Sequence, residues 1–226
     1  MKILGSARGF GAVLATILIC PISLKAVPII SVTGPPSLST LIHSASILST
    51  SWSQSQAYTG VAIAVLVNSP TFGQSPLADA YLTTRIGPGT TVTDEIAHTQ
   101  FAVPLQLPVC SQMSCGAYVT LFSGLSLGPG DYFLTLGPDA ARTFLAGWFP
   151  VTSPTVLLDT GVTQGATFFS PAMAPYAPAS AFGGNNFPMN FIVTGTAVGA
   201  IPEPATAPLI GVGALLLVLK KRIAQL

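Results

Sequence analysis

The chain has 226 residues, of which 50% are hydrophobic and only 7% charged, with a formal net charge of +1. Six of its eight basic residues lie at the ends (Lys2, Arg8, Lys25, Lys220, Lys221 and Arg222), leaving Arg85 and Arg142 against six acidic residues between Val27 and Ala200. That interior carries net charge −4 and no lysine, which excludes a surface able to neutralise nucleic-acid phosphates.

At the N-terminus, Lys2 and Arg8 precede an uncharged run from Gly9 to Ile19, and Cys20 to Ala26 follows as a processing region. This is the layout of a secretory signal peptide, with cleavage expected after Ala26. Ile19 is bulky at the place before Cys20 where lipoprotein sites resemble one another in having Gly or Ala, which argues against lipidation there. The leader, residues 1–26, is therefore set apart from the fold.

The interior is rich in Gly and Pro, yet it keeps enough Val, Ile, Leu, Phe and Tyr to build a core. Tyr58 to Val67 alternates, with Val61, Ile63, Val65 and Val67 on one face. Further strands are predicted over Ala80 to Ile86, His98 to Leu107, Ala117 to Leu127, Asp131 to Leu136, Thr143 to Val151, Thr155 to Leu158, Ala166 to Phe169 and Met189 to Val198. Asn68-Ser69-Pro70, Gly87-Pro88-Gly89, Gly128-Pro129-Gly130 and Gly183-Gly184-Asn185-Asn186 separate them as turns. Ser170 to Ala181, with Pro171, Pro175 and Pro178, reads as a surface loop. Short strands, frequent turns and no helical period predict an all-β protein, a single antiparallel β-sandwich over residues 27–198. A jelly-roll-like arrangement is the first choice and an irregular Greek-key sandwich the second.

Cys110 and Cys115 are the only cysteines beyond Cys20, and export makes a local disulfide between them the expectation. Asp94, Glu95 and His98 place two carboxylates and an imidazole within five residues, the one grouping that suggests a hydrolase. No serine stands in a nucleophile-elbow context, His43 has no acidic neighbour, and no metal-ligand set is visible. The chain is thus expected to be no enzyme and to need no cofactor or metal. Trp52, Tyr58, Tyr81, Tyr118, Tyr132, Trp148 and Tyr176 are spread along the sandwich. Most strand aromatics pack in cores or across strands, but an exposed ring beside Asp, Asn or Gln can bind sugars. Trp148 and Tyr132 are the candidates for that role.

Residues 199–226 form a distinct tail. Pro202-Glu203-Pro204 is a stiff, extended motif, because each Pro lacks an N–H and restricts the residue before it. Ala205 to Leu219 follows without a charge, and Lys220, Lys221 and Arg222 close it as a membrane stop before Ile223-Ala224-Gln225-Leu226. As a helix, residues 205–219 would span about 22 Å, short against a bilayer core of about 30 Å but extended by snorkelling cations. The cluster favours leaving that end in the cytoplasm.

Motif, apolar run and basic cluster, in this order and position, resemble the PEP-CTERM sorting signal. The Leu127-Gly128-Pro129-Gly130-Asp131-Tyr132-Phe133-Leu134-Thr135-Leu136 stretch is loosely similar to the bodies of such proteins. The resemblance implies export through the inner membrane and recognition of Pro202, Glu203 and Pro204 by an exosortase-type membrane peptidase. Held in the membrane by its C-terminal helix until processed, the protein would then join the cell envelope, outer surface or extracellular matrix. The expected role is structural or interactive, with a carbohydrate-binding module for exopolysaccharide as the alternative. A secreted hydrolase using His98 with Asp94 or Glu95 is the third reading.

Overall fold

The computed structural model describes residues 26–35, 40–42, 46–69, 76–104, 116–138, 146–170, 180–181 and 187–199. All of them belong to one compact unit, Lys25–Ile201. They form β1 (Val27–Thr33), β2 (Thr40–Ile42), β3 (Ile47–Gln54), β4 (Tyr58–Asn68), β5 (Leu77–Thr83), β6 (Glu95–Ala102) and β7 (Ala117–Leu127). Then come β8 (Gly130–Pro138), β9 (Ala146–Trp148), β10 (Thr155–Leu158), β11 (Val162–Ser170), β12 (Ser180–Ala181) and β13 (Phe191–Ala197). One 3-10 turn, Val92–Asp94, separates β5 from β6, and no α-helix occurs among the described residues.

The strands make two antiparallel sheets, the arrangement of a β-sandwich. The first runs β10-β1-β13-β4-β9-β2, with β7 also paired to β4, and the second runs β12-β11-β3-β8-β5-β6. Eight strands carry the architecture: β1-β13-β4-β7 in the first sheet and β3-β8-β5-β6 in the second. The remaining strands extend the β1 and β3 sides or, with β9 and β2, take over at the far end of β4.

Alternation decides which face is buried. Val61, Ile63, Val65 and Val67 of β4 are all fully buried, as are Phe191 and Val193 opposite them on β13. From the second sheet, Leu48 and Trp52 of β3, Leu134 and Leu136 of β8, and Ala78, Ala80 and Leu82 of β5 meet them. Each large apolar side chain so buried contributes about 1.5–3 kcal/mol. Trp52 joins the two layers: its ring stacks on cross-strand Tyr132 at 5.4 Å and lies 6.0 Å from Phe191 of the first sheet.

Two strands of this core, β1 and β3, go beyond the sequence expectation, which began at Tyr58. In β3 the residues turned inward are Leu48, Thr50, Trp52 and Gln54, so polar types mask a period-2 pattern. Gln54 is tolerated inside because it is bonded on both sides. Its Oε1 accepts the Trp52 indole N–H at 3.2 Å, and its Nε2 donates to Gly128 O at 2.9 Å. The Tyr132 hydroxyl donates to the same Gly128 carbonyl at 2.6 Å. Together these bonds fix the Gly128-Pro129-Gly130 corner, where the chain crosses from β7 in one sheet to β8 in the other.

Candidate functional site

Ionisable groups are distributed unevenly between the layers. Among the described strands, every acidic residue and the histidine belong to the second sheet: Asp79 on β5, Glu95 and His98 on β6, and Asp131 on β8. The first sheet carries none. Three of these four meet on the outward face of the β5–β6 pair.

That meeting is set by register. Tyr81 lies directly opposite His98, and Asp79 opposite Gln100, while Ala78, Ala80 and Leu82 alternate into the core. The Tyr81 and His98 rings stack nearly parallel, 3° apart, with centroids 4.3 Å from each other. His98 Nε2 stands 3.5 Å from Asp79 Oδ1. Burial, and then the charges of Asp79 and Glu95, push the Tyr81 phenol up to about 12, so this hydroxyl stays protonated through the physiological range. Asp79 is almost covered, whereas the His98 side chain is 41% exposed and Gln100 is exposed.

Asp94, grouped with His98 by sequence, does something else. Gly87 and Gly89 have φ of 92° and 85°, which turns the chain between β5 and β6. At the start of the 3-10 turn the Thr91 N–H donates to Asp94 Oδ2 at 2.8 Å, and Asp94 O accepts the Thr84 N–H at 2.9 Å. Its carboxylate caps its own turn. The partner of His98 is Asp79, which is 19 positions away and invisible to a spacing argument.

Hydroxyls on this face have partners other than the imidazole. Ser49 and Thr135, in the same cross-strand row as Tyr81, hydrogen-bond each other at 2.6 Å. No Ser or Thr hydroxyl bonds His98 among the described residues. The cluster therefore consists of an imidazole beside a carboxylate, a stacked phenol and, two residues along the strand, an amide. No group of three or more His, Cys, Asp or Glu side chains able to hold a metal occurs among the described residues.

The two aromatic candidates are corrected by burial. Trp148 is fully buried, and its indole N–H donates to Asn190 O at 2.8 Å. Tyr132 is 5% exposed and stacked on Trp52. Neither ring offers a face to a sugar: on β9 and β8 their positions alternate inward, and their polar atoms are used to satisfy backbone carbonyls. Sequence reasoning named Tyr81 among the aromatics and His98 beside Asp94 and Glu95, but it did not pair the two rings. Their signal was the alternation Asp79, Tyr81, Thr83 against Ala78, Ala80, Leu82, legible once β5 is begun at Leu77 instead of Ala80.

Pro202, Glu203, Pro204, Lys220, Lys221, Arg222, Cys110, Cys115 and His43 lie outside the described residues, as do residues 1–25 of the leader and the apolar run 205–219. Among the described residues no helix is long and apolar enough to cross a membrane. No family model matches the chain, and neither a curated protein nor a solved structure does.

Proposed function

We propose that this chain is an exported, non-catalytic component of the cell surface or extracellular matrix, sorted through its C-terminal tail. The observation that carries the reading is the tail itself. Pro202-Glu203-Pro204, an uncharged stretch from 205 to 219, and Lys220-Lys221-Arg222 follow one another in the order of a PEP-CTERM signal, with a leader-like segment at the other end. An exosortase-type peptidase would act at the motif while the apolar segment holds the substrate in the membrane. The body it delivers reads as a jelly roll. Support comes from the strand order: taken in chain order, the eight principal strands alternate as first-eighth-third-sixth and second-seventh-fourth-fifth.

The test is the intact mass and fractionation of the native protein from cells with and without the sorting peptidase. A mature species lacking the residues after about Pro204, seen only when the peptidase is present, is the expected result. A full-length C-terminus retained in the inner membrane of both strains would sink the reading.

A second reading, a carbohydrate-binding module for exopolysaccharide, is favoured by one observation: a stacked aromatic pair with a carboxylate and an amide on the outward face of β5–β6.

A further inference from the structure

We propose that the outer face of the β5–β6 pair is a glycan-binding patch in which His98, stacked on Tyr81, is the platform for a neutral sugar ring. The proposal rests on the second reading above and gives it a site.

The geometry supplies the parts separately. His98 has one ring face on Tyr81, at 4.3 Å and 3°. Its other face points away from β5, and β6 ends the strand order of its sheet among the described residues. The side chain is 41% exposed, and the face turned from Tyr81 is the one assigned to the ligand. A pyranose presents C–H groups on one side, and these can extend the stack as a third layer. Asp79 Oδ1 stands 3.5 Å from Nε2, so the stack and a nearby carboxylate flank the imidazole on the β5 side. Nδ1 has no partner among the described residues, which leaves it for a ligand hydroxyl. Gln100, two residues along the same face and exposed, adds an amide donor and acceptor for ring hydroxyls.

Charge selects the sugar class. Asp79 and Glu95 both act on Tyr81, and the interior of the chain has net charge −4 without a lysine. A uronate or sulfated glycan would meet like charge at the patch and across the body, whereas a neutral hexose polymer would not. The absence of acidic residues and histidine from the described strands of the first sheet makes the second sheet the layer with the carboxylate and imidazole chemistry for such a ligand.

The full chain, purified from its own cell envelope in mild detergent, would be titrated with neutral hexose polysaccharides such as dextran and laminarin, and with polyuronates such as alginate. Binding to a neutral glycan, weakened about tenfold or more in both His98→Ala and Gln100→Ala, is the expected result. Tyr118→Ala, on the first sheet and 46% exposed, should bind as the parent does. Because His98 and Gln100 are surface side chains, thermal melts within a few degrees of the parent would show that lost binding is local. Parent-like binding by both variants would overturn the patch and leave the carbohydrate-binding reading standing. Failure of the parent to bind any glycan tested would overturn both, and preference for the polyuronates would overturn the assignment to neutral sugars.

Discussion

Replacing Tyr58 by Phe tests whether the ends of the two sheets are tied together by a single hydroxyl. The Tyr58 ring is fully buried at the start of β4, and its hydroxyl donates to Asp159 Oδ2 at 2.9 Å. Asp159 sits in the turn between β10 and β11, where its Oδ1 accepts the Thr160 N–H and its own N–H donates to Ile29 O. One phenol thus ties β4 to the crossing from the first sheet to the second. A hydrogen bond to a charged acceptor is worth about 1.5–3 kcal/mol, and the half-buried position of Asp159 brings this to about 1–2 kcal/mol. The same bond has a pH signature. Burial first, then the bond to Asp159 and its charge, push the Tyr58 phenol from 10.0 up to about 12. The folded value lies above the unfolded one, so the protonated phenol favours the fold. Its contribution is complete below pH 10 and is lost as pH rises through 12. The shift caps the effect at about 2.7 kcal/mol, reduced by solvent near the carboxylate. Urea melts of parent and Tyr58→Phe at about pH 7, 9, 11 and 12 should show a gap that closes at the alkaline end. Tyr81 is also raised to about 12, and Tyr118 and Tyr132 are raised too, so both proteins weaken in alkali and only the difference is diagnostic. A gap that stays constant from neutral pH to pH 12, or no gap at pH 7, would refute the reasoning.

Three further outcomes are expected. Trp148→Ala should lower stability by about 3–5 kcal/mol in urea melts, since it opens a cavity in the core and leaves the Asn190 carbonyl without its donor. A stability close to that of the parent would mean that Trp148 is not packed as described. Gly116→Ala should cost about 1–3 kcal/mol in thermal melts, because a Cβ there would sit 2.6 Å from Phe149 Cε2 and 3.0 Å from Leu66 Cγ. Cys110 and Cys115, if joined after export, should resist maleimide labelling of the denatured protein until it is reduced, and Cys110→Ser should then destabilise by about 2 kcal/mol. Labelling of both thiols without reduction would exclude the bond.

The sandwich was legible because most of its strands obey one rule that sequence displays directly. Tyr58 to Val67, Ala117 to Leu127 and Thr155 to Leu158 were placed within a residue of β4, β7 and β10, each bounded by turn formers. The rule failed where the inward set is chemically mixed. In β3, Thr50 and Gln54 share the buried face with Leu48 and Trp52, so apolar alternation disappears although geometric alternation does not. Aromatics failed for a related reason. A ring on a strand is assigned to a face only by counting from a fixed start, and a one-residue slip sends it to the other side. For Trp148 and Tyr132 the sequence leaves the face open, and both belong to the core.

The His98 cluster makes the stronger point about what spacing can and cannot locate. Residues near in sequence are brought together by helices and turns, and Asp94 is indeed close to His98 along the chain, yet the turn itself consumes its carboxylate. In a sheet, neighbours across strands come from register, and the register of β5 against β6 is fixed by which residues must face the core. Ala78, Ala80 and Leu82 go inward, so Asp79 and Tyr81 must go outward, and the pairing then puts His98 and Gln100 beside them. Nothing about His98 alone selects this outcome; the apolar residues between the polar ones do. A polar face built in this way comes as a by-product of burying the core. His98 and Gln100 are the two exposed members of the cluster, so the melts and titrations of their variants decide whether this face has become a binding face.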